Sequence, residues 1–440
     1  LFQPELEILE RRRLEELQVE RLQTTLERVY SSVPFYRQRL DRAGVKPNQI
    51  RCVDDVRRLP FTHKTDLREA YPFGLFAVKP NKVARIHASS GTSGKPTVVG
   101  YTKDDLQRWA EVCARAIVTA GGKPGDRLHN AYGYGLFTGG LGLHQGAHRL
   151  DMTVIPASVG QRKRHVLLIQ DFQPQGVAAT PSFMLSLGET MKELGIDPRQ
   201  TSLLYGIFGA EPWSEAMRTA LEEMWGMDAL DIYGLSEVIG PGVSIECREA
   251  KDGLHIAEDH FVVEVIDPDS AEPLPDGETG ELVFTSLTKE AFPILRYRTG
   301  DIASLTQERC RCGRSHARMS RVKGRVDDML IVRGVNLFPS ELENVIIRVE
   351  QLAPHYQVVL SQKEAINRIT LEVEVTTGWW EQQGKVLDYE REGVHQLYQR
   401  VKSLLKERLG ITIEVALKPP HSLPRAEGKA VRVIDRRAIR

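Results

Sequence analysis

With only five cysteines in 440 residues, the chain cannot be a disulfide-stapled scaffold. No uninterrupted apolar stretch approaches the roughly 18 residues that a bilayer span needs, so no membrane-spanning helix is expected. The opening Leu1-Phe2-Gln3-Pro4-Glu5 does not read as a signal peptide, and a cytoplasmic location is the expectation. An excess of one charge is also missing. Basic and acidic residues number 59 each, so no global field would recruit nucleic acid or an anionic membrane. Internal repeats and low-complexity tracts are absent too, which removes solenoids and disordered tails. What remains is globular in composition, 41% hydrophobic and 27% charged, and long enough for two or three domains.

Residues 5–33 are rich in Leu, Glu and Arg, with Leu22, Leu26 and Val29 on one helical face, and Pro34 closes the stretch. An amphipathic helix packed on the main body is predicted. Short apolar runs at 152–155, 176–180 and 203–208 then alternate with helical patterns at 183–195 and 213–225, which predicts a layered α/β body. From 253 to 305 strands such as 261–266 and 280–284 are separated by turns, and a β-rich subdomain at about 245–320 is expected. Beyond Gly324-Arg325-Val326-Asp327-Asp328, strands at 329–332, 356–360, 369–375 and 412–417 and helices at 340–350 and 392–408 predict a separate small α+β domain. The expected fold is α/β, with a large layered domain over 1–326 and a small C-terminal domain over 327–440.

The run from Ser89 to Thr97 carries hydroxyls, turn glycines and one cation. Backbone N–H groups near Gly91 and Gly94 can approach phosphate oxygens, Ser90, Thr92 and Ser93 add neutral donors, and Lys95 supplies a movable charge. The spacing is not that of a Walker A loop, which leaves four residues before its Gly-Lys pair and follows Lys with Ser or Thr; here two residues intervene and Pro96 follows. The flanks 83–87 and 97–101 read as strands, so the loop caps a hairpin. By themselves these residues are equally an ordinary Gly/Ser turn.

Further along come Phe208-Gly209-Ala210-Glu211-Pro212, Asp231-Ile232-Tyr233-Gly234-Leu235-Ser236-Glu237, Tyr297-Arg298-Thr299-Gly300-Asp301, the 324–328 run, and Pro424-Arg425-Ala426-Glu427-Gly428-Lys429. This ordered set resembles the adenylate-forming superfamily of acyl-CoA ligases. The wording around 88–101, 132–140, 233–242 and 328–336 is similar to the branch that acts on aryl acids, with phenylacetate the acid implied. The resemblance implies a carboxylate and ATP giving an acyl-adenylate and pyrophosphate, followed by displacement of AMP by the thiol of coenzyme A. Benzoate-like, hydroxyaryl or indoleacetate substrates and a carrier-protein acceptor stay open, and a homodimer is allowed.

Under this resemblance Lys95 and the 90–94 loop handle pyrophosphate, Glu237 is the Mg²⁺ ligand, and Tyr233 with Gly234 and Ser236 faces the adenylate. Gly209, Ala210 and Glu211 edge the base, Asp301 takes the ribose hydroxyls, and Arg325 reaches ribose or phosphate. Read without it, Glu237 is a helix N-terminal acid, Tyr233 a core ring, and Lys429 a solvated surface residue. The resemblance makes Lys429 the lysine of the adenylating conformation and Asp327 the hinge of a mobile C-terminal domain. Arg298 and Arg333 are read as structural ion pairs. Tyr132, Phe137, Gly139 and Gly140 form a candidate aryl pocket, with core packing as the alternative.

Three of the cysteines suggest a metal. Cys310 and Cys312 flank one residue, and Cys247 and His255 complete a closed tetrahedral Zn²⁺ donor set, whereas His316 in a basic stretch is expected to be solvated.

Overall fold

The computed structural model describes residues 1–89, 96–326, 330–332, 335–363, 366–409, 413–425 and 431–436. Helix Arg11–Ser32 buries Leu14, Leu22, Leu26 and Val29 on one face, as the periodicity requires. The predicted 5–33 helix is broken at its start, where a short turn Pro4–Glu7 stands apart. Its end has a sharper cause: Pro34 stops one helix and occupies the first turn of the next, Pro34–Arg42, because proline fits only where no intrahelical N–H is needed.

The body is a nine-stranded sheet. From edge to edge it runs Leu305–Thr306, Arg318–Met319, Leu254–Ile256, Gly240–Glu246, Asp228–Leu235, Tyr205–Gly209, Gly176–Ala179, Arg127–Asn130 and Thr153–Ile155. The last five named are mutually parallel and the others antiparallel. Gly176–Ala179 and Tyr205–Gly209 are buried at every residue, as helices on both faces demand. Helix Pro181–Glu193 follows the first of these and Glu215–Trp225 the second.

The β-rich region divides between two sheets. Phe261–Ile266, Gly280–Ser286, Tyr297–Ala303 and Gly324–Arg325 make a four-stranded antiparallel sheet, while the short strands at 254–256, 305–306 and 318–319 extend the large one. The small domain has its own core of Leu342, Val345, Val358, Leu371, Val373, Val401 and Leu405. Helices Pro339–Ile346 and Glu392–Leu409 pack with its four strands, ordered Glu414–Lys418, Ile366–Val375, Leu352–Lys363 and Val433–Asp435. Among the described residues no helix is long and apolar enough to cross a membrane.

Candidate active site and metal centre

In an open α/β sheet the crevice lies beyond the carboxyl ends of the parallel strands. Two neighbouring strands deliver candidate residues there, since Gly209 pairs in register with Ile232. A Cβ on Gly209 would come within 2.2 Å of the Ile232 carbonyl oxygen, so only glycine lets the strands close at this point. The next residue, Ala210, is exposed and adopts φ +68°, a left-handed conformation that costs an alanine energy and turns the strand end outward. The Glu211 carboxylate accepts the Ser182 N–H at 2.9 Å, tying this turn to the start of the preceding helix.

Tyr233 is half-buried, with its ring stacked on Phe284 at 6.0 Å and 26°. Its hydroxyl donates to Asp301 Oδ2 at 2.7 Å. Asp301 pairs in register with Arg325, whose guanidinium lies 3.7 Å from Oδ1 and donates to the Thr299 carbonyl at 3.0 Å. The structure therefore brings together Tyr233, Asp301 and Arg325 from three chain segments. Ser236 is buried with its hydroxyl 3.0 Å from that of Thr138, which joins the 233–237 turn to the 132–140 loop. Glu237 is 8% exposed, and burial pushes its carboxyl above the usual range, against the nearby Lys64 and Arg325 charges. Among the described residues no salt bridge reaches that carboxylate, so its oxygens are a fit for a hard divalent cation.

The predicted hairpin is present as Arg85–Ala88 paired antiparallel with Val98–Tyr101. The main-chain N–H of Ala88 and the His87 Nδ1 both donate to the Leu136 carbonyl, at 2.9 and 3.0 Å, so the hairpin is stitched to the candidate aryl loop. The loop's own residues Ser90, Gly91, Thr92, Ser93, Gly94 and Lys95 lie outside the described residues, as do Asp327, Arg333 and Lys429. Arg298 pairs with Glu281, the structural role read from the sequence.

The aryl-pocket residues part company. Phe137 is 44% exposed at the loop tip, whereas Tyr132 sits in the apolar cluster with Ala178, Ile207 and Ile232. Gly139 and Gly140 open helix Gly139–Arg149, and a Cβ on Gly140 would meet the Gly133 carbonyl oxygen at 2.5 Å. The close approach at Gly140 is thus backbone on backbone.

Sequence reasoning passed over Lys289. Its ammonium is 3% exposed, stands 4.2 Å from the Tyr101 ring centroid and has no hydrogen-bond partner among the described residues. Burial pushes its pKa down to about 8, opposed by Asp105 and Glu237. No local pattern marks it, since Lys289 lies three residues past strand Gly280–Ser286, between Thr288 and Glu290, where a lysine reads as solvated.

At the far end of the large sheet the ligating atoms of Cys247, His255, Cys310 and Cys312 all lie within 4.8 Å of one another. Cys247 Sγ is 3.7 Å from Cys310 Sγ, and Cys312 Sγ is 3.4 Å from His255 Nε2. A tetrahedral Zn²⁺ with sulfur ligands at about 2.3 Å sets sulfurs about 3.8 Å apart, so this buried Cys₃His cluster could hold zinc.

His316 departs from its expected solvation. It is 4% exposed, with Nδ1 2.9 Å from the Ile256 carbonyl and Nε2 3.1 Å from that of Leu6. A carbonyl therefore faces each ring nitrogen, but burial holds the His316 pKa below its ordinary value against Asp259 and Glu258, so the neutral ring donates to one of the two at a time. Its neighbours grip the same segment: Arg314 Nε donates to Glu7 at 2.7 Å, and the Ser315 N–H to the Glu7 carbonyl at 3.0 Å. The turn that carries two of the thiols therefore also holds the N-terminal residues down.

A large layered α/β domain carrying nucleotide motifs at the carboxyl ends of its strands, followed by a small α+β domain, defines an adenylate-forming enzyme fold. Residues 14–288 match the AMP-binding enzyme family and residues 334–437 its C-terminal domain, and the chain belongs to this family. It is 53% identical over 443 residues to phenylacetate-coenzyme A ligase of Thermus thermophilus, covering 99% of this chain and all of that one. Against phenylacetate-coenzyme A ligase of Escherichia coli it is 50% identical, covering 97% and 95%. Among solved structures, 2-hydroxyisobutyryl-CoA ligase in its postadenylation state with 2-HIB-AMP is 27% identical with a TM-score of 0.92, covering 98% of this chain and 91% of that one. The same ligase with CoA in its thioesterification state gives 0.71, at 99% and 92% coverage.

Proposed function

We propose that this chain ligates phenylacetate to coenzyme A through phenylacetyl-adenylate, at the expense of ATP. The observation that carries the reading is the near-half identity, over almost the whole chain, with ligases named for that reaction. The substrate carboxylate attacks the α-phosphorus and the bond to pyrophosphate breaks; the CoA thiolate then attacks the acyl carbon and the bond to AMP breaks. The reaction is that of an AMP-forming acid–thiol ligase.

A carboxylate is a weak nucleophile and the α-phosphorus is shielded by negative oxygens, so aligned donors and cations must take up charge as it moves onto pyrophosphate. Lys95 and the 90–94 hydroxyls and amides do this from the hairpin. Glu237 would hold Mg²⁺, which when bound neutralises phosphate charge. The free face of Tyr233 stacks on adenine, with Gly209 to Glu211 along the base edge. Asp301, oriented by the Tyr233 hydroxyl and Arg325, accepts the ribose hydroxyls. Phe137 borders the aryl group, and the Cys₃His cluster carries a structural Zn²⁺. The enzyme works in the cytoplasm on small-molecule substrates.

Acid-dependent pyrophosphate release across a panel of aryl acids, with and without CoA, tests the reading. Phenylacetate should give the highest kcat/KM, with phenylacetyl-CoA formed only when CoA is present. A tenfold preference for a different acid, or no thioester product, would overturn it.

One site must present Lys429 first and admit the CoA thiol later, which requires the small domain to pivot at Asp327. Asp327→Pro fixes φ at the hinge and should slow thioester formation about tenfold more than adenylation. Half-reaction rates measured separately check this, and an unchanged ratio would remove Asp327 as the hinge.

A further inference from the structure

The residues that fasten the small domain to the large one include a buried carboxylate that the chemistry above does not use. Glu343, on helix Pro339–Ile346 of the small domain, is 1% exposed. Its Oε1 accepts the main-chain N–H of Ser214 at 3.1 Å. Ser214 is the N-cap of helix Glu215–Trp225 in the large domain, three residues beyond Glu211, so an anion there faces the positive end of a helix that starts beside the nucleotide motif. The other oxygen, Oε2, faces Arg432 Nη2 at 3.4 Å and the Tyr356 hydroxyl at 3.5 Å. Arg432 lies over the neutral Tyr356 ring at 4.3 Å, and the Glu343 and Glu211 carboxylates favour its cationic form against burial.

Arg432 comes three residues after Lys429. The other shoulder of that segment is pinned as well: both guanidinium ends of Arg425 donate to Glu374, each at 2.7 Å. The chain is thus anchored on both sides of residues 426–430, at 425 and at 432, and the 432 anchor shares its carboxylate with the large domain.

We propose that Glu343 is a positioning residue for adenylation: one oxygen docks the small domain on the helix that follows the 209–211 motif, and the other holds Arg432, so that Lys429 is presented to the nucleotide. The inference rests on the reading above that Lys429 serves the first half-reaction. It also separates the two half-reactions. The Glu343–Ser214 contact crosses between the domains, in an arrangement that matches the postadenylation state of the hydroxyisobutyryl ligase at 0.92 and its thioesterification state at only 0.71. Rotation to admit CoA takes Glu343 away from Ser214, and a lost contact cannot assist the second step.

The test uses the full chain and two assays: acid-dependent ATP–pyrophosphate exchange, and thioester formation from synthetic phenylacetyl-adenylate with CoA. Glu343→Ala should lower exchange about tenfold or more, the effect of losing charge-assisted hydrogen bonds, while thioester formation stays within about twofold. The isosteric Glu343→Gln keeps an acceptor for Ser214 but no charge for Arg432. It should fall between wild type and alanine, and it guards against the alanine variant failing to fold. Equal losses in both assays, or no loss in exchange, would overturn the proposal. Lys429→Ala, run alongside, tells the two failures apart. If it depresses exchange alone while both Glu343 variants do not, the positioning role falls and the functional reading stands; if it fails to separate the half-reactions, the reading itself falls.

Discussion

Replacing Lys429 by alanine is expected to lower acyl-adenylate formation by about 10²–10³-fold, the usual cost of removing one well-placed donor from developing charge. Thioester formation from preformed adenylate should stay within about threefold, because by then the carboxylate and α-phosphate oxygens that Lys429 serves are already joined. The size of the expected effect follows from the electrostatics: a point cation bonded to both the attacking and the receiving group acts in the transition state more than in the ground state. Lys429→Arg should recover little, since a planar fork does not replace a compact ammonium between two oxygens. Pyrophosphate exchange and thioester assays on the same preparation decide the matter. Equal losses in the two would remove Lys429 from its assigned role.

Cys310→Ser is expected to empty the Cys₃His cluster and to lower thermal stability without changing turnover at a permissive temperature. A metal saturating its site a thousandfold contributes about 4 kcal/mol, and in a domain this large that corresponds to a Tm fall of about 5–10 °C. The damage should be directional. Arg314, Ser315 and His316 grip Glu7 and Leu6 from the turn that carries Cys310 and Cys312, so loosening the turn releases the first residues of the chain. Limited proteolysis of the variant, or of chelator-treated enzyme, should cut within residues 1–10 first. Metal analysis showing wild-type zinc content in the variant, or full stability after metal removal, would refute the site.

Much of this could be read before any coordinates. The strands at 176–179 and 205–209 were legible because burial on both faces leaves short, wholly apolar runs, and the grouping of Cys247, His255, Cys310 and Cys312 because closely spaced thiols with a histidine suit a metal site. The short strands at 305–306 and 318–319 were not, since two residues carry no periodicity. His316 was misjudged because its basic neighbours suggested solvent; two of them, Arg314 and Arg318, are instead consumed by Glu7 and Asp252. Glu343 was invisible for a related reason. A glutamate near the middle of an amphipathic helix reads as water-facing, and it takes Tyr356 and Arg432 of its own domain together with another domain's helix start to turn it inward. Local pattern reports which face is apolar, and it is silent on polar groups whose partners come from a different domain.

Strand Gly240–Glu246 begins beside Thr138 and the nucleotide turn and ends at Cys247, roughly 20 Å away along the sheet. The Cys₃His cluster and the nucleotide turn therefore sit at opposite ends of one strand in a shared layer. A lineage could exchange the thiolate cluster for apolar packing, or tighten it for a hotter habitat, with no retuning of the chemistry at the other end. Enzyme engineers have the same liberty here, and can harden one end while reshaping acid preference at the other.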